Sequence, residues 1–174
     1  MKRLIWIALL LLVAGCAGEG PSQEPPEEEI WEGYGSQVCV LFFAEGALNL
    51  NWREEARAIE ILEDPADRVA AVMGELFRGP GQVEGRAWPE GTRLEQLFLE
   101  ADGTLTLDFD EASLRRLSRA GSLEERVALE SLRRTLRVNF PEIGGLRILA
   151  GGQPRESLAG HLWTGSILRM KEGP

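Results

Sequence analysis

Leu94-Glu95-Gln96-Leu97-Phe98-Leu99-Glu100-Ala101-Asp102-Gly103-Thr104-Leu105-Thr106-Leu107-Asp108-Phe109 decides the fold class. Apolar and polar residues alternate on both sides of Asp102-Gly103, which is the period of half-buried strands joined by a hairpin turn. The register follows from side-chain facing. A two-residue loop would set Leu99 opposite Thr106 and Leu97 opposite Asp108. A three-residue loop or a bulge around Gly103 sets Leu99 and Leu97 against Leu105 and Leu107, or against Leu107 and Phe109. Matching like with like favours the longer loop.

Helical patterns flank this hairpin. Upstream, Asp64-Pro65 offers an N-cap with Pro at the first helical position. Val69, Val72, Met73, Leu76 and Phe77 then share one helical face, and Gly79-Pro80-Gly81 stops the helix. Downstream, Ser122 and Glu125 form a capping-box pattern for a helix through Val127, Leu129, Leu132 and Leu136 toward Phe140-Pro141. A shorter helical segment is expected at 112–119. Val38 to Phe43 is a buried strand, Ile143 to Ala150 another, Gly151-Gly152 a turn, and Leu158 to Leu168 an extended segment. Trp52 to Leu62 permits a strand or a helix. Strands and two main amphipathic helices interspersed in this way predict an α+β fold: a mixed sheet containing a β-hairpin, with the helices packed on one face.

Before the folded part, Lys2 and Arg3 precede an apolar run from Leu4 to Val13 that ends in Val13-Ala14-Gly15-Cys16. This pattern fits a lipoprotein signal at 1–15, cleaved before Cys16, which then carries diacylglycerol and usually a third acyl chain. The run falls short of the about 20 residues a spanning helix needs. An uncleaved anchor, or an ordinary secretory signal with a chance cysteine, is the alternative. Residues 16–35 are rich in Pro, Gly and Glu and form a tether, with Trp31 and Tyr34 able to dock on the domain. The folded domain is expected at 36–170 and a short tail at 171–174.

The 174 residues carry a net charge of −9. Glu19, Glu24, Glu27, Glu28, Glu29 and Glu32 lie in the tether without a basic residue among them. A basic phosphate-binding footprint is absent, which argues against nucleic acid. Of the two cysteines, Cys16 is taken by lipid, and Cys39, inside an apolar strand, reads as a buried thiol, with a reactive thiol or an intermolecular bridge as the alternative.

The order of several segments resembles the GerMN domain, the sporulation and spore-germination module also found in lipoproteins of non-sporulating bacteria. The similarity spans roughly Val38 to Leu168. It rests on Val38-Cys39-Val40-Leu41-Phe42-Phe43, Glu75-Leu76-Phe77-Arg78-Gly79-Pro80, Trp88-Pro89-Glu90-Gly91-Thr92, Asp102 to Phe109, the second helix, and Leu158-Ala159-Gly160-His161. Trp88 stands where the family has Leu or Ile. The resemblance implies a fold shared with ring-building modules of envelope assemblies and no assigned catalytic residues.

The residues themselves offer little chemistry. His161 is the single histidine, and pairing it with Ser157 or Ser166 lacks any Gly-x-Ser-x-Gly context. One His and no Cys-x-x-Cys or His-x-x-x-His pair cannot build a typical zinc shell, and no cofactor or metal is expected. Asp108, Asp110 and Glu111 could form a weak calcium site or paired carboxylates; a strand end and helix start explain them as well. Gly151-Gly152 lacks the helix and lysine of a phosphate loop.

Arg115, Arg116, Arg119, Arg126, Arg133, Arg134 and Arg137 interleave with Glu124, Glu125 and Glu130. They read as a salt-bridged solvent face, or as a docking patch for an acidic partner centred on Arg133 and Arg137. The expectation is a non-enzymatic, lipid-anchored interaction or assembly module on the exported side of the membrane, binding an envelope protein or copies of itself. A cell-wall glycan or peptide binder and an envelope hydrolase are the alternatives. Ala17 after Cys16, in place of Asp, points to the outer membrane's periplasmic face in a Gram-negative cell.

Cys16→Ser is expected to block lipidation and leave unprocessed precursor, because a hydroxyl cannot form the thioether. Partitioning into a detergent phase checks this: the variant should leave that phase, and unchanged partitioning would contradict the lipoprotein reading.

Overall fold

A computed structural model describes residues 35–45, 51–81 and 85–170. The leader, Cys16, the tether as far as Tyr34 and the tail at 171–174 lie outside the described residues. The elements are β1 (Ser36–Glu45), β2 (Asn51–Glu60), α1 (Pro65–Arg78), β3 (Leu94–Leu99), β4 (Thr104–Phe109), α2 (Glu111–Ser118), α3 (Ser122–Asn139), β5 (Gly145–Ala150), β6 (Gln153–Pro154) and β7 (Leu168–Arg169). The α+β class holds. The strands form two sheets, an antiparallel β1–β2 pair and a mixed sheet ordered β3-β4-β5-β6, with β7 also on β5.

The hairpin adopts the register that matches leucine with leucine: Leu99 opposes Leu105 and Leu97 opposes Leu107, with an irregularity between Leu94 and Gln96. Its loop has three residues. Glu100 N–H donates to the Thr104 carbonyl at 2.8 Å and Gly103 N–H to the Glu100 carbonyl at 3.0 Å. Gly103 takes φ +81°, and a Cβ there would meet the Glu142 carbonyl oxygen at 2.8 Å, so the turn requires glycine. β4 runs parallel to β5, and α2 and α3 make the crossover between them, as parallel neighbours demand.

One face of the larger sheet is apolar. Leu105, Leu107 and Phe109 of β4 and Leu146, Ile148 and Ala150 of β5 are buried together with the inner faces of all three helices. The five apolar residues picked out by helical spacing on α1 are all buried. Asp64 caps this helix, accepting from the amides of Ala66 and Asp67 at 2.7 and 3.3 Å. Trp88 stacks on Phe109 with centroids 5.2 Å apart and meets the Phe77 edge at the same distance. Trp88 thus joins Phe77 and Phe109 in one buried aromatic cluster.

The segment at 51–60, open between helix and strand from its sequence, is β2, because it pairs along all ten positions with β1. Arg57 of β2 lies over the Phe43 ring and donates to the carbonyls of Glu75 and Gly79, capping the C-terminus of α1. Glu55 accepts from Arg57 and from the Gly81 amide. Desolvation alone would raise the Glu55 carboxyl; the hydrogen bonds and charge of Arg57 outweigh it and hold the group below its ordinary value. These contacts join β2 to the turn after α1.

The free edge of β1 lies against α3. Val40 N–H donates to Asn139 Oδ1 at 2.9 Å, and Asn139 Nδ2 donates back to the Val40 carbonyl at 2.7 Å. Two residues along, Phe42 N–H donates to Thr135 Oγ1 at 3.2 Å, and Ser131 Oγ donates to the Phe42 carbonyl at 2.6 Å. Ser131, Thr135 and Asn139 stand four residues apart and therefore on one helical face. Their side chains take the place of a neighbouring strand and satisfy the outward backbone groups of Val40 and Phe42.

Two sequence expectations change. Ser122 is the first residue of α3 and makes no side-chain cap; Gly121 is the N-cap residue, at φ +114°. The capping-box reading fails because Glu125 turns inward, away from its own helix end. The 158–168 segment is mostly loop, with only Leu168–Arg169 as β7, because its backbone amides are directed to that same glutamate.

Thr135→Val keeps the shape of the side chain but leaves the Phe42 amide without its acceptor. It is expected to destabilise the domain by about 1–3 kcal/mol, measured by urea unfolding; a loss within a few tenths of a kcal/mol would show that the helix does not hold this edge.

Candidate functional site

The arginines of α3 divide into anchored and outward groups. Arg133 donates to Glu130 at 3.1 Å and to the Arg169 carbonyl at 3.1 Å, so it ties the helix to β7. Arg134 lies over the Trp52 ring, 5.0 Å from its centroid. Arg137 is exposed on the same helix. On α2, Arg115 pairs with Glu111 at 2.7 Å, and Arg116 donates to the Gly91 carbonyl. Of the salt-bridged face expected from the sequence, the Arg133–Glu130 pair is present, Arg115 pairs with Glu111, and Glu125 is turned inward to the loop amides.

The acidic cluster is taken up by the backbone. Asp108, buried, accepts from the Gly152 amide at 3.0 and 2.9 Å, closing the turn after β5. Asp110 caps α2, accepting from the Ser113 amide at 3.0 Å and its hydroxyl at 3.1 Å. Desolvation opposes ionisation of Asp110, but the Ser113 hydrogen bonds prevail and lower its pKa. The three carboxylates therefore point to three different partners. Among the described residues no group of three His, Cys, Asp or Glu side chains is arranged to hold a metal ion. Cys39 is buried, and burial first, with the Glu75 charge second, pushes its thiol pKa up. That keeps it in the unreactive protonated form.

The most concentrated polar constellation surrounds Glu125, whose surface is 0% exposed. Its Oε1 accepts from the amides of Ala159 at 2.7 Å and Leu162 at 3.0 Å, and its Oε2 from the His161 amide at 2.9 Å. The loop is closed on itself as well: Leu158 N–H donates to the Leu162 carbonyl, Thr164 N–H to the Glu156 carbonyl, and Ser157 bridges Trp163. Three converging N–H groups form a nest for the carboxylate. Leu158-Ala159-Gly160-His161 contributes to this nest through its main chain, and the His161 imidazole is exposed. Inspection of the sequence missed Glu125, Ser131, Thr135 and Asn139 as structural anchors. The available signal was polar residues recurring on the buried stripe of α3.

A groove of about 550 Å³ runs between α1 and β3, lined on the helix by Ala70, Met73, Gly74 and Phe77 and on the strand by Leu94 and Leu97, with Arg78 and Arg93 at its border. Phe98, on the opposite face of β3, is 51% exposed. Among the described residues no helix is long and apolar enough to cross a membrane.

The sequence profile of the family described as Germane, sporulation and spore germination, matches residues 40–156. The fold is similar to that of a Clostridium perfringens chain described as a candidate lipoprotein, with a TM-score of 0.53 and 20% identity over 78% of this chain and 88% of the other. It is also similar to the first GerMN domain of the sporulation protein GerM from Bacillus subtilis, with a TM-score of 0.54 and 15% identity over 75% of this chain and 94% of that one. Against the tandem GerMN domains of the same protein the TM-score is 0.53 at 14% identity, covering 78% of this chain and 46% of the pair. No curated protein matches the sequence.

Glu125→Gln replaces one acceptor oxygen by a donor that faces amide donors. The expected cost is about 2 kcal/mol or more, with the 158–162 loop opened to limited proteolysis. His161→Ala should leave stability and proteolysis nearly unchanged, since only its amide is used. Equal effects of the two substitutions would contradict this assignment.

Proposed function

The chain belongs to the family of sporulation and spore germination domains, and from that membership we propose that it is a lipid-anchored, non-catalytic module of the bacterial cell envelope that acts by holding another envelope protein or copies of itself. The observation that carries this reading is the Glu125 nest. The groups most suggestive of chemistry, a buried carboxylate with the single histidine beside it, are engaged in closing a loop. Asp108 and Asp110 are likewise engaged in turn and cap formation. A reaction would need a polar group aimed at a substrate, whereas these are aimed at the protein's own amides.

Cys16 after Val13-Ala14-Gly15 supplies the anchor, in keeping with the description of the Clostridium perfringens relative as a candidate lipoprotein. The acidic, proline-rich tether sets the domain away from the bilayer on the exported side, at the outer membrane's periplasmic face if the cell is Gram-negative. Confinement to a membrane raises effective concentration, so that modest contacts suffice for assembly. Arg133 and Arg137 are the proposed docking positions for an acidic protein surface.

Reversing both charges, Arg133→Glu with Arg137→Glu, is expected to lower capture of crosslinked envelope partners from cells. Loss of the partly exposed Arg133–Glu130 pair costs about 0–1 kcal/mol and loss of the Arg133 bond to the Arg169 carbonyl about 1–3 kcal/mol more, so capture is compared once circular dichroism shows that the double variant is folded. Capture at wild-type yield by the folded double variant would exclude this face. Substrate turnover by the purified chain, lost in His161→Ala, would overturn the non-catalytic reading.

A further inference from the structure

β3 forms one edge of the larger sheet. Because Glu100 bonds to Thr104 across the turn, the alternating ladder gives Phe98 to β4 and directs the N–H and C=O groups of Leu97 and Leu99 outward. The other side of β5 carries β6 and β7, and the edge of β1 carries the side chains of α3. β3 has neither Lys nor Pro, and its irregularity, between Leu94 and Gln96, lies at the end away from the turn.

We propose that β3 pairs antiparallel with β3 of a second copy across a two-fold axis at Phe98, joining two sheets edge to edge. This deepens the assembly reading above and rests on it. The register follows from complementarity. An axis at Phe98 sets Phe98 against Phe98, Leu97 against Leu99, and Gln96 against Glu100, so across 96–100 no like charges face each other and Leu97, Phe98 and Leu99 each meet an apolar residue. An axis at Leu97 would set Phe98 against Gln96 and Leu99 against Glu95. An axis at Leu99 would set Phe98 against Glu100. A two-fold strand pair of this kind is self-complementary by construction, and the partner's leucines enter the groove between α1 and β3. The aromatic pair forms on the opposite face, where Phe98 is half exposed in a single copy.

The test uses the full chain in membranes of the cells that express it. Phe98→Cys places two thiols in a non-hydrogen-bonded pair with Cα atoms about 4.5 Å apart, within disulfide reach. Under mild oxidation it is expected to give a disulfide-linked dimer roughly tenfold or more faster than Arg115→Cys on the exposed face of α2. Gln96→Cys and Glu100→Cys should crosslink to each other when co-expressed, and each alone only at the Arg115→Cys rate. Phe98→Glu sets two carboxylates on the axis and should reduce the detergent-solubilised dimer to a monomer whose circular-dichroism spectrum is that of the folded domain. Crosslinking of Phe98→Cys no faster than Arg115→Cys, or mainly to a different polypeptide, overturns the pairing. Such a result removes the two-fold interface alone; the broader interaction reading stands or falls on the capture experiment above.

Discussion

A set of buried and half-buried polar side chains on α3 holds the C-terminal loop and the outer edge of β1. At its N-terminal end Glu125 gathers the amides of Ala159, His161 and Leu162. Farther along, Ser131, Thr135 and Asn139 satisfy the edge of β1. A buried amide or carbonyl without a partner costs about 1–3 kcal/mol, so several orphaned groups together would approach the whole stability of a domain. The helix therefore does more than cover a sheet with leucines. It fixes the position of the smaller sheet and the path of the C-terminal loop.

The parts legible in the sequence are those governed by periodicity. α1 has its cap, proline and apolar spacing in one contiguous run. The hairpin register followed from matching Leu97 and Leu99 with leucines across the strand, which is a constraint within sixteen residues. The β2 segment was ambiguous because charged residues and alanines fit either a helix or a strand, and pairing with β1 resolves it. The Glu125 assignment failed for a related reason. Ser-x-x-Glu satisfies the local pattern for a cap, but the carboxylate gains more from three distant amides than from one near its own helix start. Long-range backbone demand is absent from a local motif.

The same distinction bears on function. Arg133 and Arg137 looked equivalent along the helix, yet Arg133 is also bonded to the Arg169 carbonyl, and Arg137 is exposed. Asp108 and Asp110 are near neighbours in sequence that close a turn and cap a helix, respectively. The surfaces proposed for contact are Arg133 and Arg137 on α3 and the edge of β3 with its groove.

Native-state amide hydrogen exchange tests the central role of α3 most directly. The Val40, Phe42, Ala159, His161 and Leu162 amides should exchange only with global unfolding, as slowly as amides in the middle of α3, because each is bonded to a side chain of that helix. Fast exchange of these five amides in a folded domain, at the rate of exposed turns, would contradict the account.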